Sequence, residues 1–139
     1  MASLAAQILP LLESRFPGRN LRASVGAAPF AVFPAVHPDV GSIEIHDDGD
    51  ELTVVVGKFT HSHFGNYDEG ISEQERATRI GDALVGFLND LFADRIEMYG
   101  SQKGGGGARL RERGERGILS RAFFGPRSYV WSGPLGDDV

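Results

Sequence analysis

The strongest local constraint on the fold lies at residues 43–56, where two alternating runs flank the tetrapeptide Asp47-Asp48-Gly49-Asp50. Ile43 and Ile45 alternate with Glu44 and His46, and Leu52, Val54 and Val56 repeat the pattern on the other side. A period of two sends successive side chains to opposite faces, so each run reads as a half-buried strand. Asp48-Gly49 suits a two-residue turn whose twist matches an antiparallel hairpin. Centred there, the turn sets Asp47 opposite Asp50, His46 opposite Glu51, Ile45 opposite Leu52 and Ile43 opposite Val54. All the apolar residues then share one face. A two-stranded ribbon with one apolar face is not stable alone, so the rest of the chain has to supply a covering layer.

Residues 72–93 provide it. Ser72-Glu73-Gln74-Glu75 fits a capping box, and Ala77, Ile80, Leu84, Phe87, Leu88 and Leu91 then form a helical stripe. Gly81 sits on that stripe, where a missing side chain allows close backbone approach; Gly86 has no such explanation. Leu4, Ile8, Leu11 and Leu12 predict an N-terminal amphipathic helix with Ser3 as its cap, kinked or split at Pro10. Leu21, Ala23 and Val25 suggest a short strand. Residues 30–36 favour a strand that Pro34 and Pro38 would confine to an edge or an irregular connection. Residues 95–100 and 127–132 alternate and are expected to pair across a glycine- and arginine-rich excursion at 101–117, read as a flexible linker. The expected architecture is α+β: a mostly antiparallel sheet with one long amphipathic helix packed on one face, and an N-terminal helix. With 139 residues, 41% of them hydrophobic, one domain spanning 1–139 is expected.

The absence of cysteine excludes disulfide scaffolds and thiolate-ligated zinc. No apolar run reaches the ~18 residues of a spanning helix, and the N-terminus lacks the basic start of a secretory signal, so no membrane partner and a cytoplasmic location are expected. The net charge of −5 hides two regions. Residues 1–100 carry 7 basic and 15 acidic side chains, a balance of −8, whereas residues 101–127 carry 7 basic and 2 acidic, a balance of +5. Arg109, Arg111 and Arg113 could therefore contact an anion or nucleic acid, but arginines interleaved with glycine and glutamate fit a solvated loop better, and nucleic acid is not favoured. Gly104 to Gly107 lacks the Gly-Lys-Ser/Thr ending of a phosphate loop.

The chemistry-bearing segment is Thr60-His61-Ser62-His63-Phe64-Gly65-Asn66-Tyr67-Asp68-Glu69. If the strand beginning at Leu52 continues, His61 and His63 point to one side about 7 Å apart, within reach of one ion. Asp68 or Glu69 would add oxygen ligands, leaving an open position for metal-assisted hydrolysis. On the same extrapolation His46 lies remote from the pair. Ser62, between the histidines, faces the other way and lacks a base. Arg95 and Glu97 on one strand face read as an exposed ion pair. Two histidines fixing a strand-to-loop junction are the simpler reading, and a divalent metal is admitted rather than favoured as a cofactor.

The combination His61-x-His63-Phe64, Tyr67-Asp68, the capped helix and Leu91-Phe92-Ala93-Asp94-Arg95 resembles a group of small uncharacterised bacterial α+β proteins over residues 43–100. The resemblance implies a bacterial origin and supplies no catalytic residue. In size and charge the chain is also similar to immunity proteins, which occlude a toxin. The leading expectation is a non-enzymatic protein-binding domain whose partner is another protein or a second copy, with Val55 and Phe59 on a partly apolar second sheet face. A metal-dependent hydrolase built on His61 and His63 is the alternative.

Overall fold

The computed structural model describes residues 3–101, 105–111 and 128–135. Among these residues, two antiparallel sheets and two helices make up an α+β architecture. The five-stranded sheet has the order β1-β2-β3-β4-β5, formed by Arg22–Ala23, Ala31–Phe33, Ile43–Asp47, Glu51–Val56 and Thr60–Gly65. The four-stranded sheet has the order β7-β6-β8-β9, formed by Ile96–Tyr99 (β6), Gly107–Leu110 (β7), Tyr129–Val130 (β8) and Gly133–Pro134 (β9).

The β3/β4 hairpin forms with its turn one residue later than the sequence suggests. Ile43 pairs with Val56, Ile45 with Val54, His46 with Thr53 and Asp47 with Leu52, and the turn residues are Gly49 and Asp50. Gly49 has φ 101° whereas Asp50 is not in the left-handed region. A turn with glycine at the first central position spares the aspartates a positive φ, which Asp48 would have needed in the earlier register. The shift moves every partner by two, so the apolar residues keep their face.

The larger departure comes after Val56. The strand does not run on to His63: Gly57-Lys58 reverses the chain, and β5 returns along β4 with Val54 opposite Ser62 and Thr53 opposite His63. Gly57 has φ 53°, and a Cβ there would lie 2.1 Å from the Val40 carbonyl oxygen, so only glycine permits this turn. β2 lies inside the sheet rather than at its edge, because it ends at Phe33, before Pro34.

One face of the large sheet, carrying Phe33, Ile43, Ile45, Leu52, Val54 and Val56, is buried beneath the helices. Helix α2 spans Glu73–Phe92 and buries Ala77, Ile80, Leu84, Leu88 and Leu91. Ser72 accepts the Glu75 amide at 3.0 Å, but the Glu75 carboxylate pairs with Arg79 at 2.8 Å, so the capping box is half used. Helix α1 spans Leu4–Arg15 without a break, with Pro10 on its exposed side. Buried Leu4, Ala5, Ile8, Leu9 and Leu12 hold both halves of the helix to the core, which offsets the one hydrogen bond that proline removes. The Ala5 amide also donates to Asp47 Oδ2 at 3.0 Å, tying the helix start to the hairpin. The two helices touch where Gly81 faces Leu11; a Cβ at 81 would sit 2.9 Å from Leu11 Cδ2.

The second sheet is joined to the core by aromatic contacts. Phe92 meets Phe16, Phe33 and Trp131 with ring centroids 5.1–5.3 Å apart. β6 pairs with β8 as expected, and it also pairs with β7, so Gly107–Leu110 of the glycine- and arginine-rich excursion is strand rather than linker. The backbone bonds that β6 offers, and the Arg109 guanidinium 5.2 Å from the Tyr99 ring, give that segment a place. Glu97 is buried and lies 3.9 Å from Arg109, while Arg95 pairs with Asp90 at 2.8 Å, so Arg95 and Glu97 are not partners. Among the described residues no helix is long and apolar enough to cross a membrane.

Candidate functional site on the open face of the large sheet

Neither helix covers the other face of the large sheet. Side chains there follow directly from the register. One cross-strand row is Glu44, Val55 and His61; the next is His46, Thr53 and His63; the third is Asp48, Glu51 and Gly65. Residues directly opposed across strands lie on the same face, so three histidines and three carboxylates share one small surface. It has a shallow hollow of roughly 380 Å3 lined by His46, Asp48, Thr53, Val55, His61 and His63.

His46 therefore belongs with the pair. Its expected remoteness rested on a strand extended through residue 63, and the reversal at Gly57 brings His63 back to within one strand of it. His61 and His63 do project to one side, with their rings edge to face and centroids 5.2 Å apart. His63 Nδ1 is 3.1 Å from Thr53 Oγ1 and 3.3 Å from Glu51 Oε1. The Thr53 hydroxyl donates to Asp48 Oδ2. His46 Nε2 lies 3.3 Å from Glu44 Oε1.

Tyr67 closes the third row. Its ring lies over Gly65, where a Cβ would be 3.0 Å from the phenol oxygen, and its hydroxyl donates to Glu51 Oε2. That hydrogen bond to a carboxylate is the first cause raising the Tyr67 pKa above its ordinary value of 10.0, followed by desolvation and by the negative charges of Glu51 and Asp50. Glu51 is thus held between a phenol and an imidazole.

Asp48, Glu51 and His63 each offer a ligand atom, and these atoms lie within 4.8 Å of one another. Donors bound ~2.0–2.2 Å from one ion stand about 3–4 Å apart, a spacing within the 4.8 Å bound on this set. Asp68 and Glu69 are not brought there. Asp68 pairs with Arg79 at 2.6 Å, and Asp68 and Glu69 line a separate hollow with Asp50, Asn66, Tyr67 and Arg76. Val55 lies at the centre of its row as expected. Phe59 does not join it: the tight turn directs it into the core, where it is 3% exposed and stacks on Tyr129 at 5.0 Å. Arg109 packs with Glu97 and Tyr99, and Arg111 Nη1 donates to the Asp94 carbonyl at 3.2 Å. Arg113 lies outside the described residues.

Sequence reading missed Asp48, Glu51 and Thr53 as site residues because they belong to a hairpin already explained by its turn. The signal that could have found them is Gly57-Lys58, a second reversal six residues after β4 begins at Glu51. Comparison of the chain with protein-family models, curated proteins and solved structures gives no match.

Proposed function

We propose that the open face of the large sheet binds a divalent transition-metal ion through His63, Glu51 and Asp48, and that the chain is a non-enzymatic metal-binding domain. The observation that carries this reading is the convergence of one imidazole and two carboxylates within 4.8 Å, Asp48 and Glu51 flanking the β3/β4 turn and His63 on the neighbouring strand β5. A mixed nitrogen and oxygen donor set suits zinc, manganese or ferrous iron rather than calcium or magnesium.

The ion replaces the hydrolase reading in part. A hydrolytic centre would keep open coordination positions, which this set has, but also an enclosing cleft to hold substrate against them. The surface here is a shallow hollow on a sheet. The acidic character of residues 1–100 favours cation binding at the same place.

The test is calorimetric titration of tag-free, chelator-stripped protein with Zn2+. One ion per chain is expected, with binding lost in His63→Ala and weakened at least tenfold in Glu51→Gln, and retained in Asp68→Asn and Glu69→Gln. Equal binding by wild type and His63→Ala would refute the site, and loss in Asp68→Asn would return the ion to the ligands first suggested by the sequence.

A further inference from the structure

The hydrogen-bond phase of the hairpin determines which backbone groups β5 leaves free. Asp48 N–H donates to the Glu51 carbonyl at 2.9 Å, making these two the hydrogen-bonded pair beside the turn. Antiparallel ladders alternate bonded and non-bonded pairs, so His46 with Thr53 and Glu44 with Val55 are also bonded pairs. Gly57 N–H donates to the Ser42 carbonyl at 3.0 Å, in the same phase. Residues 51, 53 and 55 thus spend their backbone groups on β3, and residues 52, 54 and 56 turn theirs toward Phe64, Ser62 and Thr60. The N–H and C=O groups of His61, His63 and Gly65 point away from the sheet. Among the described residues no backbone group bonds to them; the Thr60 hydroxyl donates to the His61 carbonyl at a long 3.4 Å.

Sheet edges of this length are ordinarily blunted by proline, lysine or a bulge, because open edges add strands. Thr60–Gly65 carries no proline and no formal charge at neutral pH with its histidines neutral. On the helix side of this edge, Phe64 and Phe87 are only half-buried, with ring centroids 5.5 Å apart.

We infer that the edge of β5 is a homodimer interface, in which two copies pair antiparallel about a two-fold axis at Ser62 and His61 of each stands beside His63 of the other. The occupant follows from the strand itself. Pairing residue 61 with 63 of the partner sets outward-pointing groups against outward-pointing groups and forms four backbone hydrogen bonds. It matches odd residues with odd residues, so both helix layers stay on one side of a continuous ten-stranded sheet. The symmetric arrangement is self-complementary, as a two-fold interface has to be. A strand from an unrelated protein would gain the backbone bonds alone. A second copy also gathers four imidazoles about the axis, two in each of two adjacent rows, each His63 gaining the His61 of the other copy in its own row, beside the row of Glu51 and Asp48. That shared ligand set rests on the metal-binding reading; the backbone pairing does not.

Sedimentation velocity of the tag-free chain, in chelator and in Zn2+, tests both parts. The expected result is a dimer that zinc tightens at least tenfold. His61→Ala retains the dimer in chelator and loses the zinc effect. His61→Pro gives a monomer, since the amide at 61 points outward and its removal costs the β4/β5 ladder nothing. A wild-type monomer under both conditions, or a dimeric His61→Pro, overturns the interface. A zinc-insensitive dimer overturns the shared ion and leaves the pairing standing. Because the chain has no cysteine, a measurement independent of the proline exists: His61→Cys and His63→Cys proteins, mixed and oxidised, should form a disulfide-linked pair far faster than either alone, as directly opposed residues lie within disulfide reach. Equal cross-linking in the mixture and the separate samples overturns the register.

Discussion

Tyr67 shows how one residue ties the site together. It is 67% exposed, yet its ring needs the bare backbone of Gly65 and its hydroxyl needs Glu51. Because the carboxylate stabilises the protonated phenol, Tyr67 should ionise above the ordinary tyrosine range in the metal-free protein. Its folded value is raised, so the linked stabilisation is fully present below pH ~10 and is lost as pH rises through the folded value. Ultraviolet titration of Glu51→Gln should return Tyr67 toward 10.0; an unchanged titration would show that Glu51 is not the cause. The two helical glycines differ in the same residue-level way. Nothing lies within 4 Å of a Cβ added at Gly86, whereas one at Gly81 meets Leu11. Gly86→Ala should raise stability in urea denaturation by about 1 kcal/mol, the full helix-propensity gain, and Gly81→Ala should gain less because Leu11 has to move.

At the scale of elements, the bounds of helix α2, its Ser72 cap and most of its buried stripe were legible in the sequence, whereas the diversion of Glu75 to Arg79 and the half-burial of Phe87 were not. Its start at Ser72 and its end at Ala93 fall where the sequence places them, and Ala77, Ile80, Leu84, Leu88 and Leu91 of the expected stripe are buried, joined by Val85 and Phe92. Ser72→Ala should cost about 1 kcal/mol, measured by chemical denaturation, because the Glu75 amide loses its acceptor. The strands were legible in part. Alternation identified the apolar face of β3 and β4, but not the turn position, because Asp48-Gly49 and Gly49-Asp50 both satisfy hairpin chemistry and differ only in which residue takes a positive φ. The boundary between β4 and β5 was missed for another reason. Gly57-Lys58 is a weak turn signal by itself, and it becomes decisive only when the Val40 carbonyl occupies the space that a side chain would need.

For the whole molecule, the helices and the second sheet gather on one side and leave a polar sheet face to solvent. A ligand that binds this face only when the strands are paired stabilises the folded state by mass action. Zinc at about a hundred times its dissociation constant should therefore add ~2.7 kcal/mol and raise Tm by several degrees, reversed by chelator and absent in His63→Ala. A Tm that rises equally in wild type and His63→Ala would place the ion elsewhere. The charge division along the chain is less visible in the fold than in the sequence, since Arg109 of the basic region lies against buried Glu97 rather than projecting as a free cation.

The sequence by itself determined the α+β class, the long capped helix, the apolar face of the hairpin and the common direction of His61 and His63. Each of these depends on periodicity or capping within a few residues. Tertiary structure alone decided that His46, Asp48 and Glu51 join that histidine pair while Asp68 goes to Arg79. Which strands become neighbours depends on where the chain reverses, and at Gly57 that was settled by a backbone contact with Val40, seventeen positions earlier in the chain.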